Sequence, residues 1–306
     1  MEPIDQVRQM IAELVGSPDT HFMERRAQTE RFAAAFEAPP DVRYTADTLG
    51  GVPVEWIIPD GVSKARIFLH LHGGGYVLGN PAGSRVLTTA FARAAGAAVV
   101  SVDYRIAPEY PYPAAVDDAV AAYRTLLDLG VAPEAIAVGG ESAGGGLTAA
   151  MLLAARDAKL PMPACAILVS PWLDLTCSAK SFETKADVDP LLTRNSLKEM
   201  ADAYLAGADP RAPYASPVFA DLSGLPPVLI QAGSDEVLLD DSINFDRRLR
   251  EQGVAARLAT WNGMIHVWPM FHPVLPEAGA AIDEAAAFAS EAWQGNRGQE
   301  DRTKPS

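Results

Sequence analysis

A mostly parallel sheet of eight strands, flanked by helices in an α/β arrangement, is the architecture this sequence predicts. Three observations predict it. From residue 65 onward, short apolar runs alternate with helix-like segments, as parallel strands joined by helical crossovers do. The runs are continuous rather than alternating, which fits strands buried on both faces. The chain of 306 residues is 49% hydrophobic and 21% charged, so it can bury a large core.

The elements follow in order. Residues 1–40 read as two helices, over 4–15 and about 20–36. Met10, Ile11, Leu14 and Val15 have the spacing of one apolar helical face. Pro39-Pro40 ends this section, and strands over 43–48 and 52–58 turn at Gly50-Gly51. Six further strands are expected over 65–71, 97–102, 135–138, 164–169, 228–230 and 255–260. Helices are expected between and after them, over 84–95, 114–129, 143–155, 238–252 and 278–293. Residues 176–217 interrupt the alternation with a helix over 193–205, a Pro- and Asp-rich exit and no strand. Such insertions sit over strand ends. With the N-terminal helices, this one is expected to form a helical cap on a main domain spanning 41–293. The polar tail, 294–306, is expected to be frayed.

Composition narrows the function classes. A formal net charge of −14 opposes binding to nucleic acid or to an anionic membrane surface. No apolar run reaches the length of a membrane span. Met1-Glu2-Pro3-Ile4-Asp5 lacks the basic and apolar regions of a signal peptide, so a cytoplasmic location is expected. Of two cysteines, Cys165 lies in an apolar run and Cys177 in a polar loop. Neither metal-ligand spacing nor a disulfide framework is present.

Gly140-Glu141-Ser142-Ala143-Gly144 is the most informative motif. It stands between a strand-like and a helix-like run, where a serine flanked by glycines forms a nucleophile elbow. The tight turn admits only glycine two positions to either side. It aims the Ser142 hydroxyl at substrate and the Ala143 N–H at a developing oxyanion. The hydroxyl needs a base, and the chain offers His21, His70, His72, His266 and His272. His21 lies in the N-terminal helices, His70 within a strand and His72 at the start of a glycine loop. His266 follows the last strand, where a histidine belongs if the order is serine, acid, histidine. His272 is the remaining alternative. The expected acid is Asp235, just past the strand 228–230, with Glu236 as its rival. Asp240 and Asp241 read as solvated charges at a helix N-terminus. His72-Gly73-Gly74-Gly75-Tyr76 supplies bare amides. Gly74 and Gly75 are the expected oxyanion donors with Ala143, and Gly73 supports them. No Lys-Ser/Thr follows, which excludes a nucleotide P-loop.

With these residues in view, the chain resembles the hormone-sensitive-lipase-like esterases, bacterial family IV, from about residue 40 to 290. The resemblance rests on residues 72–79 (His-Gly-Gly-Gly-Tyr-Val-Leu-Gly), 103–109 (Asp-Tyr-Arg-Ile-Ala-Pro-Glu) and 113–118 (Pro-Ala-Ala-Val-Asp-Asp). It rests also on 140–146 (Gly-Glu-Ser-Ala-Gly-Gly-Gly), 170–174 (Ser-Pro-Trp-Leu-Asp) and 233–235 (Gly-Ser-Asp). It implies an α/β-hydrolase fold with a helical cap, a Ser142–Asp235–His266 triad and cofactor-free hydrolysis of short-to-medium acyl esters. Lactone hydrolysis is the alternative, followed by amide hydrolysis and a non-catalytic receptor of the same fold. Homodimerisation through the last strand edge is implied on the same basis. Glu141 stands where many relatives carry Asp or Thr, and is expected to affect cap contacts. Val267-Trp268 replaces a frequent Gly-Phe, so Trp268 is expected to narrow the pocket. Tyr76, Trp172, Tyr204 and Leu205 are the other expected pocket walls. Asp103, Arg105 and Glu109 read as a structural ion-pair cluster.

Overall fold

One sheet of eight strands organises the molecule, and the computed structural model describes residues 2–14, 17–34 and 36–295 of the chain. Two helices come first, α1 (Pro3–Leu14) and α2 (Phe22–Ala34). The hairpin β1 (Val42–Leu49) and β2 (Val52–Pro59) follows, then β3 (Ile67–Leu71), α3 (Arg85–Ala95) and β4 (Ala98–Val102). Next come α4 (Ala114–Asp128), β5 (Ile136–Glu141), α5 (Ala143–Asp157) and β6 (Cys165–Val169). The short α6 (Ser181–Thr184) and α7 (Arg194–Leu205) lie between β6 and β7 (Val228–Gly233). The chain closes with α8 (Leu239–Glu251), β8 (Ala256–Trp261) and α9 (Pro276–Gly295). Strand order is β1-β2-β4-β3-β5-β6-β7-β8; β2 pairs antiparallel with both β1 and β4, and every other pair is parallel. Each expected strand is present. The first two residues of the expected tail, Gln294 and Gly295, belong to the last helix, and the rest of it, 296–306, lies outside the described residues.

Strand pleating divides the core. On β4, Ala98, Val100 and Val102 face one side and Val99 the other, as a period of two requires. The first side packs on α4, α5, α7 and α8. The second packs Ile57, Phe68, Val99, Ile167 and Leu229 against Phe91 of α3 and Ile282, Ala285 and Trp293 of α9. A smaller cluster joins Val7 and Ile11 of α1 to Met264, Ile265, Trp268 and Leu275. The apolar face of α1 is thus Val7 and Ile11, four residues apart. Met10 of the expected face is exposed, and Val15 lies outside the described residues.

Local chemistry sets the helix ends. Thr193 and Ser196 form a reciprocal capping box at the start of α7. The expected solvated acids of α8 are instead structural. Asp241 is buried and accepts the N–H groups of Leu173 and Asp174 at 2.9 and 3.0 Å, while Asp240 accepts that of Ser181 at 2.9 Å. Burial pushes the Asp241 carboxyl well above its usual range. The two acids therefore tie α8 to the segment after β6. No helix among the described residues is long and apolar enough to cross a membrane.

Candidate active site

Ser142 occupies the turn from β5 into α5 with φ 55° and ψ −123°. Its N–H donates to Val169 O at 2.9 Å, and its own carbonyl accepts the N–H of Trp172 at 3.0 Å. Gly140 and Gly144 are obligatory here, because a Cβ on either would collide with the carbonyl oxygen of Leu71. The strained residue is held by packed backbone on both sides, so its hydroxyl projects from a fixed point.

His266 arrives on the loop after β8. Its Nε2 lies 2.9 Å from Ser142 Oγ, and its Nδ1 lies 3.2 Å from Glu236 Oε2. All three side chains are buried, Glu236 completely. The carboxylate facing His266 is therefore that of Glu236, the rival, and not that of the preferred Asp235. Asp235 turns away from the imidazole, and its carboxylate pairs with Arg8 of α1 at 2.9 Å. The cause lies in the turn after β7. Asp235 is fixed through its N–H to Met264 O at 2.9 Å, and Ser234 Oγ accepts the N–H of Gly263 at 2.8 Å. Those ties direct residue 235 outward and residue 236 back under the sheet edge. Burial pushes the Glu236 carboxyl upward, and the hydrogen bond and charge of His266 oppose the rise. The sequence holds one signal for this choice, the apolar pair Val237-Leu238 directly behind Glu236, which the structure buries completely.

Two further side chains secure this pair, Asp189, which no motif marks, and Ser170 of the segment 170–174. Asp189 accepts the Val237 N–H at 2.9 Å, and Ser170 Oγ accepts the Val267 N–H at 3.0 Å. A hydroxyl, an imidazole and a carboxylate thus stand in series, the order that makes a serine hydroxyl nucleophilic.

The loop after β3 lies beside the elbow. Gly74 and Gly75 have φ of 120° and 60°. Among the described residues, no protein acceptor bonds the N–H groups of Gly74, Gly75 or Ala143. The Gly73 N–H differs, because it donates to Glu141 Oε1 at 2.7 Å. Gly73 therefore supports the loop and has no donor to spare. His72 is buried, stacks on Tyr104 at 4.1 Å between ring centroids and approaches Gly73 O through Nδ1 at 2.8 Å. Burial lowers the His72 pKa to about 4, which keeps the ring neutral. Met200 of α7 lies directly over Gly75, where a Cβ would collide with its Sδ.

The remaining expectations sort by location. Tyr76, Trp172, Tyr204 and Leu205 are all buried in the large core cluster, with Tyr76 and Tyr204 stacked at 4.0 Å. Trp268 packs beneath α1 in the cluster of Val7 and Ile11. His70 bonds Ser101 and Glu141 inside the sheet, His21 meets Glu199 on the surface, and His272 approaches Val86 O. The Arg105–Asp118 and Arg26–Glu109 pairs, both at 2.7 Å, brace the segment after β4. Among the described residues, no group of three or more His, Cys, Asp or Glu is arranged to hold a metal ion.

Comparison with known proteins identifies the fold and the family. Residues 68–270 match a family model described as the alpha/beta hydrolase fold. An acetyl-hydrolase of Streptomyces hygroscopicus is 48% identical over 241 residues, covering 79% of this chain and 80% of that protein. An esterase of Acinetobacter venetianus is 36% identical, covering 87% and 88%. Among solved structures, EstE5 soaked with p-nitrophenyl butyrate is 45% identical with a TM-score of 0.92, covering 96% of this chain and 99% of that one. An esterase from the bacterial hormone-sensitive lipase family is 43% identical with a TM-score of 0.92, covering 95% and 98%.

Proposed function

Because the chain belongs to the α/β-hydrolase family and, within it, to the bacterial hormone-sensitive-lipase-like carboxylesterases, we propose that it hydrolyses short-to-medium acyl esters through an acyl-enzyme on Ser142. The observation that carries this reading is the 2.9 Å approach of His266 Nε2 to Ser142 Oγ. That distance is within reach for proton transfer.

In this reading, Ser142 Oγ attacks the acyl carbon as His266 Nε2 takes its proton. The imidazolium formed is held by Glu236 at Nδ1, and Asp235 takes no part. The carbonyl oxygen gains negative charge and is met by the N–H groups of Gly74, Gly75 and Ala143. Preorganised donors of this kind are each worth about 3–4 kcal/mol in the transition state. His266 then protonates the departing alkoxide, and the alcohol leaves. Water, deprotonated by His266, attacks the acyl-enzyme, and the second tetrahedral intermediate collapses to release the acid and restore the Ser142 hydroxyl. We further propose that α1, α2 and residues 176–217 act as a cap. Met200 over Gly75 places α7 at the oxyanion donors, and Arg26 of α2 donates to Val77 O at 2.9 Å just beyond them.

Ester turnover with p-nitrophenyl butyrate tests the proposal. Ser142→Ala is expected to lower kcat by a factor of about 10⁶, since serine and histidine act as a unit. A folded Ser142→Ala protein that keeps most of the parent rate would refute it.

A further inference from the structure

Glu141 immediately precedes the nucleophile, yet its side chain serves the opposite half of the site. Its carboxylate is buried and binds three groups from two parts of the chain. Oε1 accepts the Gly73 N–H at 2.7 Å and the Ser84 hydroxyl at 2.9 Å, and Oε2 meets His70 Nε2 at 2.7 Å. His70 Nδ1 continues to Ser101 Oγ at 2.9 Å. The network therefore ties the ends of β3, β4 and β5 to one another and to the turn preceding α3. The expected role of Glu141 in cap contacts does not match this geometry, because the side chain lies 4% exposed inside the sheet edge.

Each other end of the glycine loop has its own anchor. Tyr104 Oη donates to His72 O at 2.7 Å, and Gly74 O accepts the N–H groups of Val77 and Leu78 at 3.1 and 2.9 Å. Between those anchors, the Gly73 N–H has Glu141 as its hydrogen-bond acceptor. Glycine peptides without such a tie rotate readily. Rotation at Gly73 would swing the next two amides away from the position an oxyanion must occupy, and misplacement by about 1 Å can reduce a rate 10²-fold.

We infer that Glu141 is a positioning residue for ester hydrolysis: its carboxylate clamps the Gly73 amide and thereby aims the Gly74 and Gly75 N–H groups at the oxyanion. The inference rests on Ser142 acting as the nucleophile. One residue on either side of the peptide bond 141–142 thus serves each half of the reaction, attack by Ser142 and donor alignment by Glu141.

The test compares two variants with the parent on p-nitrophenyl butyrate. Glu141→Leu keeps the volume and removes the acceptor. It is expected to lose about 10–100-fold in kcat with KM within threefold, the signature of an interaction made in the transition state. Glu141→Gln offers an acceptor of the same reach and is expected to lose less than tenfold. A folded Leu variant with parental kcat, or a loss confined to KM, overturns the inference. Should the Leu variant not fold, the parent protein itself decides. With glycine amides labelled by ¹⁵N, addition of n-butylboronic acid creates a tetrahedral adduct on Ser142. The Gly74 and Gly75 amide signals are expected to move while the Gly73 signal stays. A Gly73 signal that moves with the other two overturns the clamp. Failure of the underlying reading looks different: the parent would then show no turnover sensitive to Ser142→Ala, and both proposals would fall together.

Discussion

Asp235 and Glu236 are neighbours in the chain with separate partners, Arg8 and His266. Removing the charge of each should therefore have unequal effects. Glu236→Gln is expected to lower kcat by about 10³–10⁴-fold, the scale found when the acid behind a catalytic histidine is neutralised. Asp235→Asn is expected to leave kcat within about threefold, because that carboxylate meets no reacting atom. Steady-state kinetics on both variants checks the assignment, and a larger loss in Asp235→Asn would reverse it. The meeting of Ser142 with His266 was legible in the sequence for physical reasons: the serine by the glycines its turn requires, the histidine by its place after the last strand. The carboxylate that faces His266 was legible only as the rival Glu236, behind the preferred Asp235. Past the end of β7 no periodicity governs which way a side chain points, and here hydrogen bonds to the following loop made that choice. Glu141 was visible only as a departure from a motif, since its partners His70, Gly73 and Ser84 come together through sheet register and the α3 turn.

Among the elements, α1 has the most direct line to His266. Val7 and Ile11 pack with Met264, Ile265 and Trp268, the residues on either side of His266. Ile11→Ala is expected to destabilise this cluster by about 2–4 kcal/mol, as for other buried truncations. Hydrogen exchange should show faster opening of residues 264–268 than of β5, and uniform exchange across both would contradict the coupling. The helix itself was legible in the sequence, but its buried stripe only in part. The sequence grouped Ile11 with Met10, Leu14 and Val15, and the position of the 264–268 loop pairs Ile11 with Val7. Helix and strand positions in the main domain were read within a few residues because continuous apolar runs bounded by turns have few other solutions.

At the scale of the whole molecule, the buried histidine His72 links the loop to acid stability. Its folded-state pKa is lowered by burial to about 4, against about 6.5 for an unfolded histidine. The unfolded chain thus takes up the proton first. Stability is complete above about pH 6.5 and declines as pH falls toward 4, by about 3 kcal/mol from this group. Glu141, pushed up by burial but held below its usual range by His70, Gly73 and Ser84, extends the loss to lower pH. Urea denaturation at several pH values should give a slope between pH 6.5 and 4 that is shallower in His72→Phe. An unchanged slope in that variant would exclude His72 as the source. Strand order belongs to this scale too. The alternation of runs announced a parallel sheet, but placing β4 between β2 and β3 depends on long-range pairing that no local pattern encodes.

The divergent carboxylates after β7 also imply two responses to dissolved ions. The Arg8–Asp235 pair is about a quarter open to water, with side-chain exposures of 28% and 27%, whereas those of His266 and Glu236 are 6% and 0%. Mobile ions weaken the first attraction and barely reach the second. Brine should therefore loosen the N-terminal helix from the turn while leaving the inner carboxylate on its imidazole, so that one bend of chain is salt-sensitive on its outer side and salt-proof within.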